Sequence, residues 1–334
     1  MDVTRLDPYK ADDVRAAVDV RNAARAVDMP VLHPTAETAY GGWLRLGWDG
    51  EAPYAWLGRV GGAAVAVLHV EAGTYDNTHL AWVDVTVHPE HRRRGYGSAL
   101  HDFGADYARR ELGRTTIGLE GWDNPASRSF AAANGYEPKY TEAIRRQTLA
   151  DVNPDAVAAL RSDAEKAALD YELIRMPGRT PDELIDPMAD LVAAINDAPR
   201  ARLDLEDEVF TAERIRGYET ACEAQGLRLY RVLARHRGTG ELAGNTAVAV
   251  EADRPAIGEQ HDTSVVGRHR GHRLGLMLKI EMMAWLAEVE PQLETIDTGN
   301  EENNAFMIDV NEKLGYRLIA REILFQPTSP GDQD

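Results

Sequence analysis

The chain has 334 residues, and its 55 acidic against 37 basic side chains give a formal net charge of −18 at pH 7. This acid excess argues against general nucleic-acid binding and suits a cationic partner such as an amine, although acidic surfaces also simply keep proteins soluble. A lone cysteine excludes an intramolecular disulfide framework and a multi-cysteine zinc site. No apolar run is long enough to span a membrane, and because the N-terminal residues are acidic and polar we expect neither a signal peptide nor a transit peptide. We therefore expect a cytoplasmic protein of about two domains.

The first informative element is the segment HLAWVDVTVHP. Its valines alternate with polar residues, which predicts a strand over residues 80–88 that ends before Pro89. Apolar residues then recur at helical spacing, which predicts a helix that begins near Gly97. The connection between them, HRRRGYG at residues 91–97, is rich in arginine and glycine.

A glycine-rich turn before a helix exposes backbone N–H groups that no helical carbonyl accepts. These groups and the helix dipole favour an anion, and the arginines add positive charge, so we predict a phosphate or pyrophosphate site. A P-loop requires Gly-Lys-Ser/Thr, which is absent, and a Rossmann loop requires glycine where Leu100 stands. The alternative is a solvated basic turn whose glycines only cap the helix.

The same order of features returns in the second half of the chain. HRGHRLGLML, residues 269–278, follows a β-rich run and precedes an amphipathic helix, and its Gly275 lies 178 residues after Gly97. NGYE and LGYR lie 180 residues apart, and Asn124 and Asn304 each stand 11 residues before the glycine of the pair. A duplicated architecture is therefore predicted.

The boundary between the copies is predicted before the strand YELIRM. We expect a first domain over residues 1–150, a linker helix over 151–170, a second domain over 171–326 and a disordered tail over 327–334. Asn153 is the expected cap of the linker helix, with Pro154 in its first turn.

The loop RRRGYG, residues 92–97, resembles the Arg/Gln-x-x-Gly-x-Gly/Ala motif of the GNAT superfamily of N-acetyltransferases. RGHRLG, residues 270–275, is similar, but Arg273 stands where the first glycine of the motif belongs. Because strand, loop, helix, asparagine and Gly-Tyr follow in order twice, nearly the whole chain resembles two GNAT domains in tandem, as in mycothiol synthase. The resemblance implies an α/β (α+β) fold in which each half has a mixed, mostly antiparallel central sheet flanked by helices.

The resemblance also implies acetyl-CoA as acyl donor. In the family the loop binds the pyrophosphate, and backbone groups of the fourth strand, which splays from the fifth, pair with the pantetheine arm. The cofactor-binding residues implied in the first copy are Val85, Thr86, Val87, Arg92, Arg93, Arg94, Gly95, Tyr96, Gly97, Ser98 and Asn124. Those implied in the second copy are Thr263, Val265, Arg270, Gly271, Arg273, Gly275 and Asn304. We expect the first copy to bind acetyl-CoA more tightly because Gly95 is present there, and we expect no metal.

Many members of the family use a glutamate on the fourth strand as base. Counting back from the loop places Glu259 at this point in the second copy, with Asp262 nearby, whereas the first copy offers Asp84. The three predicted catalytic residues are therefore Glu259, Asp262 and Asp84; each is also the kind of charged residue that lines the solvent face of a half-buried strand. The tyrosine that often serves the family as general acid is absent from both copies, where Ala131 and Asn311 occupy its position.

The resulting prediction is an acetyl-CoA-dependent N-acetyltransferase that acts on an amine of a small molecule or short peptide by direct transfer in a ternary complex. Three alternatives stay open at this point: a non-catalytic acyl-CoA-binding or sensing protein, an aminoglycoside-type resistance acetyltransferase, and an enzyme that acetylates lysines or N-termini of proteins. We expect a monomer or homodimer without a nucleic-acid or membrane partner.

Overall fold

The computed structural model describes residues 1–199 and 201–328. Two compact units divide the chain: unit 1 comprises Met1–Glu142, Arg200–Asp207 and Ala320–Asp334, and unit 2 comprises Ala143–Pro199 and Glu208–Ile319. Both have a mixed α/β architecture with a mostly antiparallel sheet flanked by helices, which confirms the predicted fold class. The predicted cuts at residues 150 and 170 stay predictions, and residues 329–334 of the predicted tail lie outside the described residues.

Unit 1 contains a sheet in the order β1-β2-β3-β4-β5-β12, in which only β4 and β5 are parallel neighbours. The strands are β1 Asp2–Arg5, β2 Tyr54–Val60, β3 Ala63–Glu71, β4 Leu80–Val87, β5 Thr116–Trp122 and β12 Arg317–Pro327. The helices are α1 Ala11–Asp28, α2 Glu37–Leu46, α3 Tyr96–Arg110 and α4 Pro125–Ala133. The predicted strand over 80–88 and the helix from near Gly97 are thus confirmed as β4 and α3.

Helices cover both faces of this sheet. Leu100 of α3 is buried together with Leu68 of β3 and Val83 of β4. Gly104 lets α3 approach the sheet closely, because a Cβ there would lie 2.9 Å from Leu68 Cδ1 and 3.0 Å from Val83 Cγ1. Val67, which alternates with Leu68 on β3, is buried on the other face against α1 and α2. The polar side chains of β4 therefore share their face with α1 and α2.

Unit 2 repeats this plan, with strand order β6-β11-β10-β9-β8-β7. The strands are β6 Tyr136–Thr148, β7 Tyr171–Pro177, β8 Leu227–His236, β9 Leu242–Glu251, β10 Ile257–Val265 and β11 Thr295–Glu301. The helices are α5 Pro154–Ala167, α6 Ile185–Val192, α7 Ala212–Ala224, α8 Leu274–Val289 and α9 Ala305–Lys313. Asn153 caps α5 by accepting from two backbone N–H groups, as predicted. None of the helices in the described part of the chain is long and apolar enough to cross a membrane.

Each sheet is completed by a strand from the other half of the sequence. β12 pairs antiparallel with β5, and its Ile323 and Phe325 are buried in the core of unit 1. The C-terminal part of β6 belongs to unit 2, where Gln147 donates to the carbonyl of Leu314 at 2.6 Å and Arg146 forms an ion pair with Asp297 of β11. Neither half of the sequence therefore contains all the strands of one unit.

Candidate active site

In unit 1, the parallel strands β4 and β5 pair at one end and then diverge. Their register joins residues 80–82 to residues 116–118, although β4 continues to Val87 and β5 to Trp122. On its other edge β4 remains paired with β3 up to Val87. The edge of β4 from Val83 to Val87 therefore presents backbone N–H and C=O groups to an opening in the sheet, where an extended ligand with amide groups can pair.

Trp82 closes the narrow end of this opening. A Cβ on Gly118, the last paired residue of β5, would lie 2.3 Å from two carbons of the Trp82 ring. The indole therefore lies against the backbone of β5, and only glycine at position 118 leaves room for it.

Unit 2 has a corresponding opening between β10 and β11. Their parallel register joins residues 257–259 to residues 295–297 and goes no further, although β10 continues to Val265. A bulge between Gln260 and Thr263 interrupts the pairing of β10 with β9. Bulges change the direction of strand side chains and free backbone groups, and they are common beside active sites. Thr263 and Val265, the predicted pantetheine partners of this copy, follow the bulge.

The arginine–glycine loop of unit 1 connects the open end of β4 to α3. Arg93 and Gly95 both have positive φ, 61° and 83°, and α3 begins at the next residue, Tyr96. A left-handed residue before a helix turns successive backbone N–H groups toward one side, and the first turn of α3 adds further N–H groups without intrahelical acceptors. The loop therefore has the geometry of an anion-binding cradle.

The loop of unit 2 has positive φ at the two corresponding positions, 86° at Gly271 and 54° at Arg273. Each copy thus places one glycine and one arginine at these positions, in opposite order. The left-handed conformation costs a residue with a side chain about 1 kcal/mol, so Arg273 is strained where Gly95 is not. Exchanging glycine for arginine has not changed the backbone conformation of the loop.

The first arginine of each loop forms hydrogen bonds that connect the loop to the rest of its own unit. Arg92 donates to the carbonyl of Val87 and forms two hydrogen bonds with Asp28, at 2.7 and 2.5 Å. Arg270 donates to the carbonyl of Val265 and pairs with Asp197 at 2.7 Å. Both guanidinium groups are therefore engaged with a carboxylate, and their contact with a pyrophosphate stays a prediction.

The remaining predicted cofactor residues lie on or beside these loops. In unit 1 the side chains of Arg93, Arg94 and Ser98 are exposed, and in unit 2 Arg273 is exposed. Asn124 and Asn304 are the N-caps of α4 and α9, where each side chain accepts a backbone N–H. Their side-chain oxygens therefore already serve a structural purpose.

We expect Gly95→Val to weaken acetyl-CoA binding about tenfold, because a β-branched residue resists the positive φ that forms the cradle. Arg273→Gly should relieve strain and preserve or strengthen binding in unit 2. Calorimetric titration of acetyl-CoA into each variant gives the affinity and the number of sites.

Gly61→Val is the matched control, because Gly61 also has positive φ, 58°, with open space around a Cβ, and lies in the β2–β3 turn. An equal loss of affinity in Gly61→Val and Gly95→Val would show that the loss reflects general destabilisation.

A group of carboxylates surrounds the opening of unit 1 on the face that carries α1 and α2. Trp82 and Gly118 are register partners, so Asp84 and Glu120, two residues further on, lie on this face at either side of the opening. Glu71 lies opposite Trp82 on β3, and Glu322 lies opposite Trp122 on β12. We call these four residues, Glu71, Asp84, Glu120 and Glu322, the carboxylate group.

The three glutamates hold protons more tightly than free carboxyl groups do. Burial, with a further contribution from Asp84, raises the pKa of Glu71 to about 7. Burial and the nearby Glu142 and Asp84 raise the pKa of Glu322 to about 7. Glu120 is accessible to water but closely surrounded by protein atoms, and this desolvation together with Glu322 raises its pKa well above the usual range. Groups that titrate near neutral pH are suited to proton transfer.

Asp84 differs from the glutamates. Burial by itself favours its neutral form, but hydrogen bonds from His69 and Arg21 outweigh burial and hold the pKa of Asp84 well below its usual range. Asp84 is therefore ionised at neutral pH and is a weak proton acceptor. Its predicted role as a base in unit 1 is less well supported by this geometry than the same role for a glutamate.

In unit 2 the predicted residues Glu259 and Asp262 lie on β10 near the bulge, and Glu259 is exposed. Burial raises the pKa of Asp262, against the opposing effect of Arg231. His261, which lies between them in the sequence, forms a hydrogen bond of 2.6 Å between its Nδ1 and the hydroxyl of Tyr218. Burial lowers the pKa of His261 to about 3, so the imidazole is neutral. The predicted catalytic residues thus belong to two separate openings: Asp84 to unit 1, and Glu259 and Asp262 to unit 2.

Glu71, Glu120 and Glu322 were not predicted from the sequence. Glu120 ends an alternating run, TIGLE, which is a recognisable strand, but only the parallel register with β4 shows which face it lies on. Glu322 comes from the opposite end of the chain, so no local pattern connects it to unit 1. Across the described residues, no group of three or more His, Cys, Asp or Glu side chains is arranged to hold a metal ion.

Comparison with known proteins gives one family and one fold. The profile of the acetyltransferase (GNAT) family matches residues 23–136, which include β4, the loop and α3 of unit 1. No curated protein matches the chain.

Solved structures resemble the whole chain. A tandem GNAT protein from the clavulanic acid biosynthesis pathway is 27% identical, has a TM-score of 0.80, and the match covers 99% of both chains. A GCN5-related N-acetyltransferase from Sphaerobacter thermophilus is 17% identical with a TM-score of 0.64, over 97% of this chain and 94% of that chain. A GNAT-family acetyltransferase from Colwellia psychrerythraea is 12% identical with a TM-score of 0.55, over 98% and 100%. The last two similarities concern the fold alone.

Proposed function

The chain belongs to the GNAT family of acetyltransferases and has the tandem GNAT fold, and from this premise we propose that unit 1 transfers an acetyl group from acetyl-CoA to a cationic primary amine. The GNAT family generally uses acetyl-CoA as acyl donor. To this family activity our proposal adds two points: the class of acceptor, and the location of the reaction in unit 1.

The observation that carries the proposal is the coincidence of three features in unit 1. The divergence of β4 from β5 exposes the backbone edge of residues 83–87. The anion cradle of residues 92–97 lies directly beyond the open end of β4. The carboxylate group surrounds the same opening on one face of the sheet. A diphosphate, an amide-containing arm and an ammonium group would each find its complementary partner.

The residues of unit 1 have distinct parts in this scheme. N–H groups of the cradle bind the pyrophosphate, and the free edge of β4 pairs with the pantetheine amides. A backbone N–H of β4 in the opening also polarises the thioester carbonyl. The Asp84 anion and the ionised fraction of the glutamates attract the ammonium form of the acceptor. Glu120, at the side of the opening opposite Asp84, takes its proton when it is ionised.

The transfer then balances without a covalent enzyme intermediate. The neutral amine attacks the carbonyl carbon, a C–N bond forms, and the C–S bond breaks. Glu120, protonated by the ammonium in the first step, gives that proton to the departing thiolate and takes up the proton lost by the acylated nitrogen, which it then releases to water. Burial and the nearby Glu322 raise the pKa of Glu120 and so favour its proton-carrying form. This proton transfer through Glu120 would take the place of the general-acid tyrosine of the family, whose position is occupied by Ala131 in this copy.

A panel of amines with detection of released thiol tests the proposal. We expect release of coenzyme A with primary mono-, di- and polyamines and none above hydrolysis with matched alcohols. The KM of a diamine should rise several-fold between about 0.05 and 0.5 M salt, because salt screens its attraction to the carboxylates. Binding of acetyl-CoA without release by any amine would favour the alternative of an acyl-CoA-binding protein.

A further inference from the structure

A chain of four side chains connects the buried face of unit 1 to the opening. The hydroxyl of Tyr40 on α2 lies 2.6 Å from His69 Nε2, and His69 Nδ1 lies 3.1 Å from Asp84 Oδ2. Arg21 of α1 donates to the same oxygen at 2.8 Å. Tyr40 and His69 are 4% and 1% exposed, whereas Asp84 is partly exposed. The four residues, which we call the Asp84 relay, thus run from the core to the surface of the opening.

The relay fixes the charge and the orientation of one carboxylate. His69 is packed edge-on against the ring of Trp43, 4.8 Å between centroids, and its two ring nitrogens are both occupied by the relay. Burial lowers the pKa of His69, so its neutral form is favoured and the positive charge beside Asp84 comes from Arg21. Asp84 therefore remains an anion whose Oδ2 is held in place, next to glutamates that tend to be protonated.

We propose that Asp84 is a positioning residue and not the base: the relay holds a fixed negative charge beside Glu71, Glu120 and Glu322 and thereby sets the pH at which these glutamates accept the proton of the amine. This inference rests on the proposed function and assigns a regulating group to its site. It gives the buried Tyr40–His69 pair, which the transfer reaction itself does not use, a part in the chemistry.

The groups that face Asp84 come from every element around it. The cation is Arg21 of α1, with Arg25 of the same helix acting on Glu322. The other titratable groups are Tyr40 of α2, His69 and Glu71 of β3, Glu120 of β5 and Glu322 of β12. Glu142 of β6 acts on two of these, Glu120 and Glu322. Asp84 raises the pKa of Glu71, Glu120 and Glu322, whereas Arg21 lowers the pKa of Glu71 and Glu322.

Substituting the two ends of the Arg21–Asp84 ion pair should therefore have opposite effects. Asp84→Asn removes a negative charge, so the glutamates lose protons more easily and the acid limb of kcat/KM moves to lower pH. Arg21→Gln removes a positive charge, so the glutamates hold their protons more tightly and the acid limb of kcat/KM moves to higher pH. Each shift should be on the order of one pH unit, and Asp84→Glu should restore the wild-type limb. Damage to the fold alone would lower the rate without moving the two limbs in opposite directions.

The same titration is measured without turnover by ¹³C NMR of glutamate carboxyl groups in the unliganded full-length protein. Resonances of Glu71 and Glu322 are assigned with Glu71→Gln and Glu322→Gln. We expect their titration midpoints to fall in Asp84→Asn and to rise in Arg21→Gln. Asp106→Asn is the matched control, because Asp106 is an exposed aspartate of the same unit that also pairs with an arginine, Arg110; it should leave both midpoints unchanged.

The two readouts separate this inference from the proposed function. Opposite NMR shifts in a protein that acetylates no amine would support the relay and refute the transferase proposal. Unchanged midpoints in Asp84→Asn and Arg21→Gln, or shifts in the same direction, would overturn the relay whatever the activity of the wild type.

Discussion

Glu120→Gln is expected to lower kcat for amine acetylation by about 100-fold, with the KM for acetyl-CoA unchanged. Glutamine keeps the shape of the side chain at the side of the opening but cannot accept a proton, and a positioned acid–base group contributes about 10²- to 10⁴-fold. The residual rate should increase with pH, since the fraction of amine that is already neutral then rises. Steady-state kinetics from pH 6 to about 10 measure both effects.

Glu111→Gln is the control for this variant, because Glu111 is an exposed glutamate that follows α3 in the same unit. Its kinetics should match those of the wild type. Glu259→Gln tests the competing hypothesis that the reaction takes place in unit 2. If Glu259→Gln loses activity while Glu120→Gln retains it, our assignment of the reaction to unit 1 is wrong.

Removal of β12 is expected to unfold unit 1, although this unit is built mainly from the first half of the sequence. The strand covers the edge of β5, and Ile323 and Phe325 are 0% and 2% exposed in the core of unit 1. Truncating such side chains to alanine costs about 2–5 kcal/mol each. The loss of both is therefore comparable to the whole stability of many domains, about 5–15 kcal/mol. A chain that ends at residue 319 should therefore lose its structure in unit 1 and its acetyl transfer activity.

Single substitutions make the same test in the full-length protein. Phe325→Ala should destabilise unit 1 by about 3 kcal/mol, as measured by chemical denaturation. Leu324→Ala is the matched control, since Leu324 lies on the same strand, points to the opposite face and is only partly buried; it should cost clearly less. Equal losses for the two variants, or a folded and active chain of residues 1–319, would contradict the completion of unit 1 by β12.

The duplicated plan was predictable from the sequence because its signals are local. Alternating valines define β4, the glycines define the loop, and the helical period defines α3, so a short window contains all the information. The second loop was recognisable because its glycine, asparagine and Gly-Tyr pair follow those of the first copy at nearly the same offset, even though Arg273 replaces a glycine. The backbone conformation confirms that Arg273 occupies the place of Gly95.

The carboxylate group of the proposed site was not predictable, because it depends on pairings between distant residues. Asp84 looks like a base in the sequence, and only the fold shows that Arg21, 63 residues away, forms an ion pair with it. Glu322 joins the carboxylate group through the pairing of β12 with β5, which connects the two ends of the chain. Strand register and strand exchange are tertiary properties, and a motif of six residues carries no information about them.

The most direct test of the account is a crystal structure of Glu120→Gln with acetyl-CoA and a diamine, in which the substitution slows turnover during crystal growth. We predict the pyrophosphate on the N–H groups of residues 93–98, the thioester in the opening between β4 and β5, and an ammonium group among Glu71, Asp84 and Glu322. Acetyl-CoA bound only between β10 and β11 of unit 2, or an amine bound away from these carboxylates, would contradict it.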